Sequence, residues 1–495
     1  VDSSTNHVPF LQNYRKGIIL LRRNPMNGNC DIGIIGMAVM GQNLALNIAR
    51  KGYRVAVFNR TAERTREFVA NRLRGEPVVP TYSLEEFISV LRKPRRVMLM
   101  VKAGSAVDEF MEALFPLLET KDLLIDGGNS FFRDTERRIR EAEKRGVLFL
   151  GTGISGGEYG ALHGPSIMPG GHEEGYRLVQ EILEKAAAQV EDGPCCTYLG
   201  PGGSGHFVKM VHNGIEYALM QAIAEVYDIL RKIYRLSGEE MQRLFTKWNE
   251  SEVASYLIEI TGKILAVKDS ETGKPLLELI LDAAEQKGTG KWTSQVAFDL
   301  GVPTPTINQA VIARSLSAFK EKRVFLSQTW GTGENSQLPF TPEAEDALRE
   351  TLFLSMVVAF SEGFHLLQVA QEEFHYTFHL GEIARIWKGG CILRARMLSS
   401  IQKALEENPP LLFAAREFAT KIKEGTKKAR QMIQEACAFC VPVPVLAGAL
   451  TYIDSWVSAT LPANLLQAQR DFFGAHTYRR IDRPGTFHTV WEGEE

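Results

Sequence analysis

With 495 residues and a formal net charge of -2, the chain exceeds the size at which one hydrophobic core stops growing, so two or more domains are expected. The near-cancelled charge excludes the broad basic footprint of a nucleic-acid or anionic-membrane binder, so any anionic ligand must be held by cations that converge locally. Six cysteines without framework spacing (Cys30, Cys195, Cys196, Cys391, Cys437 and Cys440) suit a reducing compartment, with the cytoplasm as the default. Cys437 and Cys440 sit in an apolar run and read as core thiols rather than a metal or redox pair.

Residues 1–29 carry Arg15, Lys16, Arg22 and Arg23 around a short apolar patch at 18–21, too short for a secretory core. An organelle transit segment and an extraneous leader both fit, and the segment is expected to be disordered. No apolar run approaches the roughly 20 residues that cross a bilayer, which argues against an integral membrane protein. From Asp31, β-rich runs at 31–36, 53–59, 95–101, 122–128 and 147–153 alternate with helical segments at 41–51, 61–72 and 133–145. That alternation predicts a doubly wound parallel sheet. A last strand signal, 197–200, precedes Pro201-Gly202-Gly203-Ser204-Gly205, the best domain boundary. From His206 to about Leu450 the periodicity is helical, with loops expected at 268–275 and 328–344. The segment from Leu461 has no core pattern of its own and is expected to pack on another surface. No fixed-period repeat is evident.

The first strand runs into Gly36-Met37-Ala38-Val39-Met40-Gly41, a GxAxxG dinucleotide fingerprint at the start of a helix. Gly36 permits the tight turn, Ala38 lets backbone approach a pyrophosphate, and Gly41 allows close helix–sheet packing. The second strand ends at Asn59-Arg60-Thr61, where NAD enzymes usually place an acidic residue. Arg60 is suited to paired hydrogen bonds with a 2′-phosphate, so NADP is favoured over NAD. Val101, Lys102 and Ala103 close a later strand on the carboxyl edge, where such sheets bind ligands.

Residues 203–227 read as a buried helix interrupted by Lys209, His212, Asn213 and Glu216. These fall at i, i+3, i+4 and i+7 and share one face. Burial lowers the proton affinity of an amine and raises that of a carboxyl group, so the face offers a base and an acid to one substrate.

At this point the residues resemble the 6-phosphogluconate dehydrogenase family of the oxidative pentose phosphate pathway. The resemblance spans Asp31 to about Gly493 and rests on residues 36–49, 58–61, 124–130, 153–171, 203–217, 286–293 and 461–478. It implies a metal-free, NADP-dependent oxidative decarboxylation of 6-phosphogluconate, with Lys209 as general base and Glu216 as the acid that protonates C1. By the same resemblance Asn129, Ser155, Gly156, Gly157, His212 and Asn213 hold the sugar acid, and Asn129 also contacts nicotinamide. Tyr217, Lys287, Thr289 and Arg314 hold the phosphate, with Arg470 and His476 supplied by a second subunit. The architecture implied is α/β plus all-α: a leader (1–29), a Rossmann-type NADP-binding domain (30–203), an all-helical catalytic and dimerisation domain (204–460) and a C-terminal tail (461–495) that completes the site of the other copy in a homodimer. Two positions depart from the family pattern, Tyr159 and Arg479, each where Glu is common; Tyr159 borders the Ser155–Gly157 loop and so bears on substrate affinity.

Two rivals remain at this stage. A 3-hydroxyisobutyrate-type dehydrogenase shares Gly205, Lys209 and Asn213, but is shorter and lacks Glu216 in this role and the phosphate-binding tail. A catalytically silent NADP-binding protein would not require Lys209, Glu216 and the phosphate cations together.

Overall fold

The computed structural model of the protein describes residues 29–285, 288–331 and 336–491. All of the expected leader except Asn29 lies outside them, as does Lys287. Strands β1 (Ile32–Ile35), β2 (Val55–Phe58), β3 (Val78–Pro80), β4 (Arg96–Leu99), β5 (Leu123–Asp126), β6 (Leu148–Ser155) and β7 (Ser166–Gly171) form one sheet in the order β3-β2-β1-β4-β5-β6-β7. The first six are parallel, and β7 runs antiparallel to β6. Buried four-residue runs such as Ile32–Ile35 and Val55–Phe58 suit strands covered on both faces. The cover comes from α1 (Val39–Arg50), α2 (Ala62–Arg72), α3 (Leu84–Ser89), α4 (Ser105–Leu114), α5 (Phe132–Glu143), α6 (Gly157–His163) and α7 (Glu173–Ala186). The strand order reverses between β1 and β4, which opens a crevice at their carboxyl ends.

The parallel sheet follows the expected alternation, while three features differ. The short edge strand β3 and the Gly- and Pro-containing β7 lack an alternating pattern. Residues 197–200 form no strand: Leu199 N–H donates to Pro169 O (2.9 Å) and Gly171 N–H to Gly200 O (3.0 Å), too few bonds to extend the ladder. A small hairpin of β8 (Gln189–Val190) and β9 (Gly193–Pro194) precedes them.

Beyond lies the helical part: α8 (Ser204–Lys232), α9 (Gly238–Trp248), α10 (Tyr256–Leu265), α11 (Leu276–Leu279), α12 (Thr289–Asp299), α13 (Pro305–Ser317), α14 (Lys320–Trp330), α15 (Pro342–Glu373), α16 (Leu380–Ile386), α17 (Met397–Glu406), α18 (Arg416–Ala438), α19 (Pro444–Val457) and α20 (Ala463–Gly474). Its core continues onto the sheet, where Phe207 of α8 meets Phe132 of α5 edge-on at 5.0 Å. By length and composition α15 is apolar enough to cross a membrane, contrary to the expectation that no run approaches that length. Of its most apolar window 83% is buried inside the fold, between neighbours that include α8 and α18, so it is a core helix.

The loop at 268–275 closes on Asp269, which accepts from Thr272 N–H at 2.7 Å. The one expected at 328–344 is shorter, because α14 continues to Trp330 and α15 starts at Pro342. Cys437 and Cys440 are exposed at the end of α18 rather than core thiols. A repeated device also emerges that fixed-period inspection misses. Val302-Pro303-Thr304-Pro305 and Val441-Pro442-Val443-Pro444 each lead into a helix whose first turn is capped by a buried Glu from a long helix: Glu362 for α13 and Glu225 for α19. The tail carries α20 and folds around buried Asp471, which accepts from Thr477, Thr489, His488 and Trp491.

Candidate active site

At the carboxyl end of β1, Gly36 has φ +106, and a Cβ there would sit 2.4 Å from Met100 O. A Cβ on Gly41 would sit 1.9 Å from Gly36 O, so the turn and helix meet at a distance only glycine allows. Met37 N–H donates to Asn59 Oδ1 at 3.0 Å, which ties the fingerprint to the end of β2. Helix α1 starts after Ala38 with no side-chain cap and no acidic residue in its first turn. Its free N–H groups and positive end therefore face an approach lined by exposed Ala38 and Val39 and half-buried Met40. Thr61 immediately precedes α2, and its carbonyl accepts from Asn59 Nδ2 at 3.0 Å. The Arg60 side chain is 78% exposed and pairs with Glu109 at 3.3 Å, a surface contact too weak to hold it from an incoming phosphate. Across the crevice, Val101 and Ala103 are half-buried and Lys102 exposed. These residues fit a dinucleotide with a 2′-phosphate: a glycine cradle, an uncapped helix end and an exposed cation.

Helix α8 crosses behind the sheet. A Cβ on Gly153 of β6 would lie 2.4 Å from Lys209 Cβ, so the bare glycine makes room for the lysine stem. Lys209 is 6% exposed. Burial lowers its ammonium pKa, while Glu216 and Cys391 pull it back up. Burial pushes the Glu216 carboxyl up, opposed by the charges of Lys209 and Arg314. The two groups thus shift in the opposed directions that an acid–base pair requires.

Between them stands His212, fully buried and held well below its usual pKa by burial and then by the charge of Lys209. Its Nε2 lies 3.2 Å from Ser155 Oγ and its Nδ1 3.2 Å from Asn213 Oδ1. Asn213 Nδ2 donates to Thr289 Oγ1 at 2.8 Å. A neutral imidazole has one donor and one acceptor nitrogen, so with Nδ1–H on Asn213 its Nε2 accepts from Ser155. The chain Ser155–His212–Asn213–Thr289 joins the last residue of β6 to the first of α12. Gly156 (φ +120) and Gly157 (φ +59) turn the backbone away from Ser155, and a Cβ on Gly156 would lie 2.5 Å from Gly390 O. Asn129 is exposed just past β5, on the same edge of the sheet.

Tyr217 is buried, and Arg314 stacks 3.5 Å above its ring. Gly290 meets the ring as well: a Cβ there would be 2.5 Å from Tyr217 Cδ2. Arg470 and His476 are exposed on the tail, where Arg470 bonds Gln467 (3.2 Å) and His476 meets Phe473 (6.0 Å). No described contact within this chain brings either to α8. Tyr159 is 74% exposed and stacks on His163 at 4.3 Å, while Arg479 is exposed.

Two neighbours of the site were not anticipated. Trp387 meets His212 edge-on at 5.5 Å, and Cys391, bonded to Trp387 O at 3.1 Å, lies beside Lys209. Both belong to the turn 387–391, whose paired glycines, Gly389 and Gly390, were the available signal.

Family comparison matches residues 31–200 to the NAD binding domain of 6-phosphogluconate dehydrogenase and residues 205–491 to its C-terminal domain. The NADP(+)-dependent, decarboxylating 6-phosphogluconate dehydrogenase of Bacillus subtilis is 51% identical over 466 residues, covering 93% of this chain and 99% of that protein. The decarboxylating enzyme of Escherichia coli K12 is 50% identical over the same shares. A 6-phosphogluconate dehydrogenase of Plasmodium falciparum, studied apo, with its cofactor NADP+ and with its substrate 6-phosphogluconate, superposes with a TM-score of 0.89 at 45% identity, covering 93% of this chain and 100% of that one. The match through the helical part and the tail sets aside the shorter 3-hydroxyisobutyrate-type reading, and this chain belongs to the 6-phosphogluconate dehydrogenase family.

Proposed function

We infer that this chain catalyses the oxidative decarboxylation of 6-phospho-D-gluconate to D-ribulose 5-phosphate and CO2, with reduction of NADP to NADPH. The carrying observation is the pair of opposed proton affinities, Lys209 lowered and Glu216 raised, on one face of α8. NADP, when bound, accepts the hydride from C3. Neutral Lys209 takes the proton of the C3 hydroxyl as that hydride leaves. As the resulting 3-keto acid loses CO2, the Lys209 ammonium stabilises the charge gathering on the C3 oxygen and returns a proton to it. Protonated Glu216 then delivers a proton to the enediol carbon that becomes C1 of ribulose 5-phosphate, while Lys209, neutral again, takes back the enolic proton from the former C3 oxygen to leave the ketone.

Ser155, Gly156, Gly157, His212, Asn213 and Asn129 are assigned to the sugar acid. Tyr217, Lys287, Thr289 and Arg314 are assigned to its phosphate. Residues 36–41, 59–61 and 101–103, with Asn129, are assigned to NADP. The division at residues 203 and 204 separates the NADP-binding part from the catalytic part, and the substrate is assigned to the face of α8 that carries Lys209 and Glu216.

The tail is assigned to a second copy of the chain. Leu465, Leu466, Phe472 and Phe473 are 55–72% exposed, an apolar surface that a homodimer would cover. Arg470 and His476 of the partner subunit would then complete the phosphate site. The free cysteines suit a reducing compartment, and the cytoplasm is the assigned location. The deciding experiment is a steady-state assay of 6-phosphogluconate with NADP and with NAD, following both NADPH absorbance and CO2 release. Turnover with NADP and one CO2 per NADPH is expected; no turnover with either cofactor overturns the reading.

A further inference from the structure

Glu362 lies in the middle of α15, fully buried. Its carboxyl group accepts from Thr306 N–H (2.9 Å), Thr306 Oγ1 (2.7 Å) and Ile307 N–H (3.2 Å). The two N–H donors are first-turn groups of α13 that a helix leaves unpaired and that a local cap normally takes. Local caps are used elsewhere in this fold, by Ser237 for α9, Ser255 for α10 and Thr341 for α15. Helix α13 has none: Thr304 bonds Asn308 instead, and Pro305 has no N–H to offer. A local cap sets a helix start relative to its own loop. Glu362 sets the start of α13 relative to the core helix α15.

The neighbouring residue gives that reference its meaning. A Cβ on Gly363 would sit 2.4 Å from Ile215 Cδ1, so α15 presses directly on α8 beside Glu216. The far end of α13 returns to α8, where Arg314 stacks on Tyr217 and its charge opposes the rise of Glu216. Thr306 and Arg314 stand about 12 Å apart along the helix, at 1.5 Å per residue. A shift at the capped end is therefore carried through a rigid rod to the guanidinium. Helices α8, α15 and α13 form a closed loop with Glu362 as its joint.

We propose that Glu362 is a positioning residue for the substrate phosphate: it fixes the start of α13 against α15 and thereby holds Arg314 over Tyr217. The proposal rests on the assignment of Arg314 to the phosphate made above. Among the described residues Glu362 is hydrogen-bonded to Thr306 and Ile307 and to none assigned to substrate or cofactor, so its effect passes through Arg314. Burial pushes its carboxyl up to about 8, which makes a neutral amide a fair replacement.

The test is a double-mutant cycle in the full-length enzyme with 6-phosphogluconate and NADP. Glu362→Leu, which removes every acceptor, is expected to raise KM for 6-phosphogluconate by about tenfold, the scale of one buried hydrogen bond, with KM for NADP unchanged. Glu362→Gln should recover most of that loss. Arg314→Ala should raise the same KM at least as far, and adding Glu362→Leu to it should change KM no further. If Glu362→Leu fails to fold, Thr306→Val removes a single donor, and its few-fold rise in KM should likewise vanish in the Arg314→Ala background. A lower kcat or melting temperature with unchanged KM marks a purely structural role and overturns the proposal, as does full additivity with Arg314→Ala. An Arg314→Ala enzyme with ordinary KM removes the phosphate assignment itself, and the proposal with it.

Discussion

The cofactor end and the α8 site solve recognition by opposite means. At the cofactor end the decisive features are backbone: Gly36 and Gly41 where a Cβ would meet a carbonyl oxygen, and an uncapped helix start, with the exposed cation Arg60 beside them. In the α8 site the decisive features are ionisable side chains taken out of water, Lys209 lowered and Glu216 raised by burial. Backbone and exposed charge grip a ligand without changing their own state; a buried amine and carboxyl group exchange protons with one. Substitutions in the two regions should separate accordingly, with rate lost at α8 and affinity lost at the fingerprint.

The largest effect expected is from Lys209→Met. It should lower kcat by about 10³-fold, within the range for loss of a general base, while calorimetry shows NADP affinity unchanged. Retained turnover would remove Lys209 from its role and break the contrast. Deletion of the chain from Leu461 should abolish activity while circular dichroism shows the helical part folded, because Arg470 and His476 leave with the tail. A fully active truncated monomer would sink the shared site.

Arg60→Ala tests the cofactor end. KM for NADP should rise roughly tenfold or more, and KM for NAD should stay nearly constant, since one charge-assisted contact to the 2′-phosphate is lost. Equal losses for both cofactors would argue against that contact.

The smallest effect is on pH dependence. Lys209 must be neutral to accept a proton, and its lowered pKa lets kcat rise at lower pH than an ordinary lysine would permit. Glu216 must be protonated to donate, and its raised pKa carries the falling limb above the usual carboxylate range. Arg314 opposes that rise, so Arg314→Ala should move the falling limb to higher pH. A shift the other way would contradict the assigned acid.

Much of this was legible in the residues themselves. The strand cores of β1, β2, β4, β5 and β6, the fingerprint turn and the shared face of Lys209, His212, Asn213 and Glu216 follow from local order along the chain. Strand β7 was not legible: its Gly- and Pro-containing run has no alternation, and its pairing with β6 supplies the missing specification. The exposure of Cys437 and Cys440 was misjudged because an apolar neighbourhood in sequence does not ensure one in space.

Sequence alone determined which residues could share a face and where backbone could turn, because helical and strand periodicity depend only on near neighbours. Tertiary structure decided their chemistry. Ser155 reaches His212 across 57 residues, Asn213 reaches Thr289 across 76, and Thr306 reaches Glu362 across 56. Desolvation and the partners of a buried polar group depend on those distant contacts, so the proton affinities of Lys209 and Glu216 took their values only once α8 was packed against β6, α12 and α15.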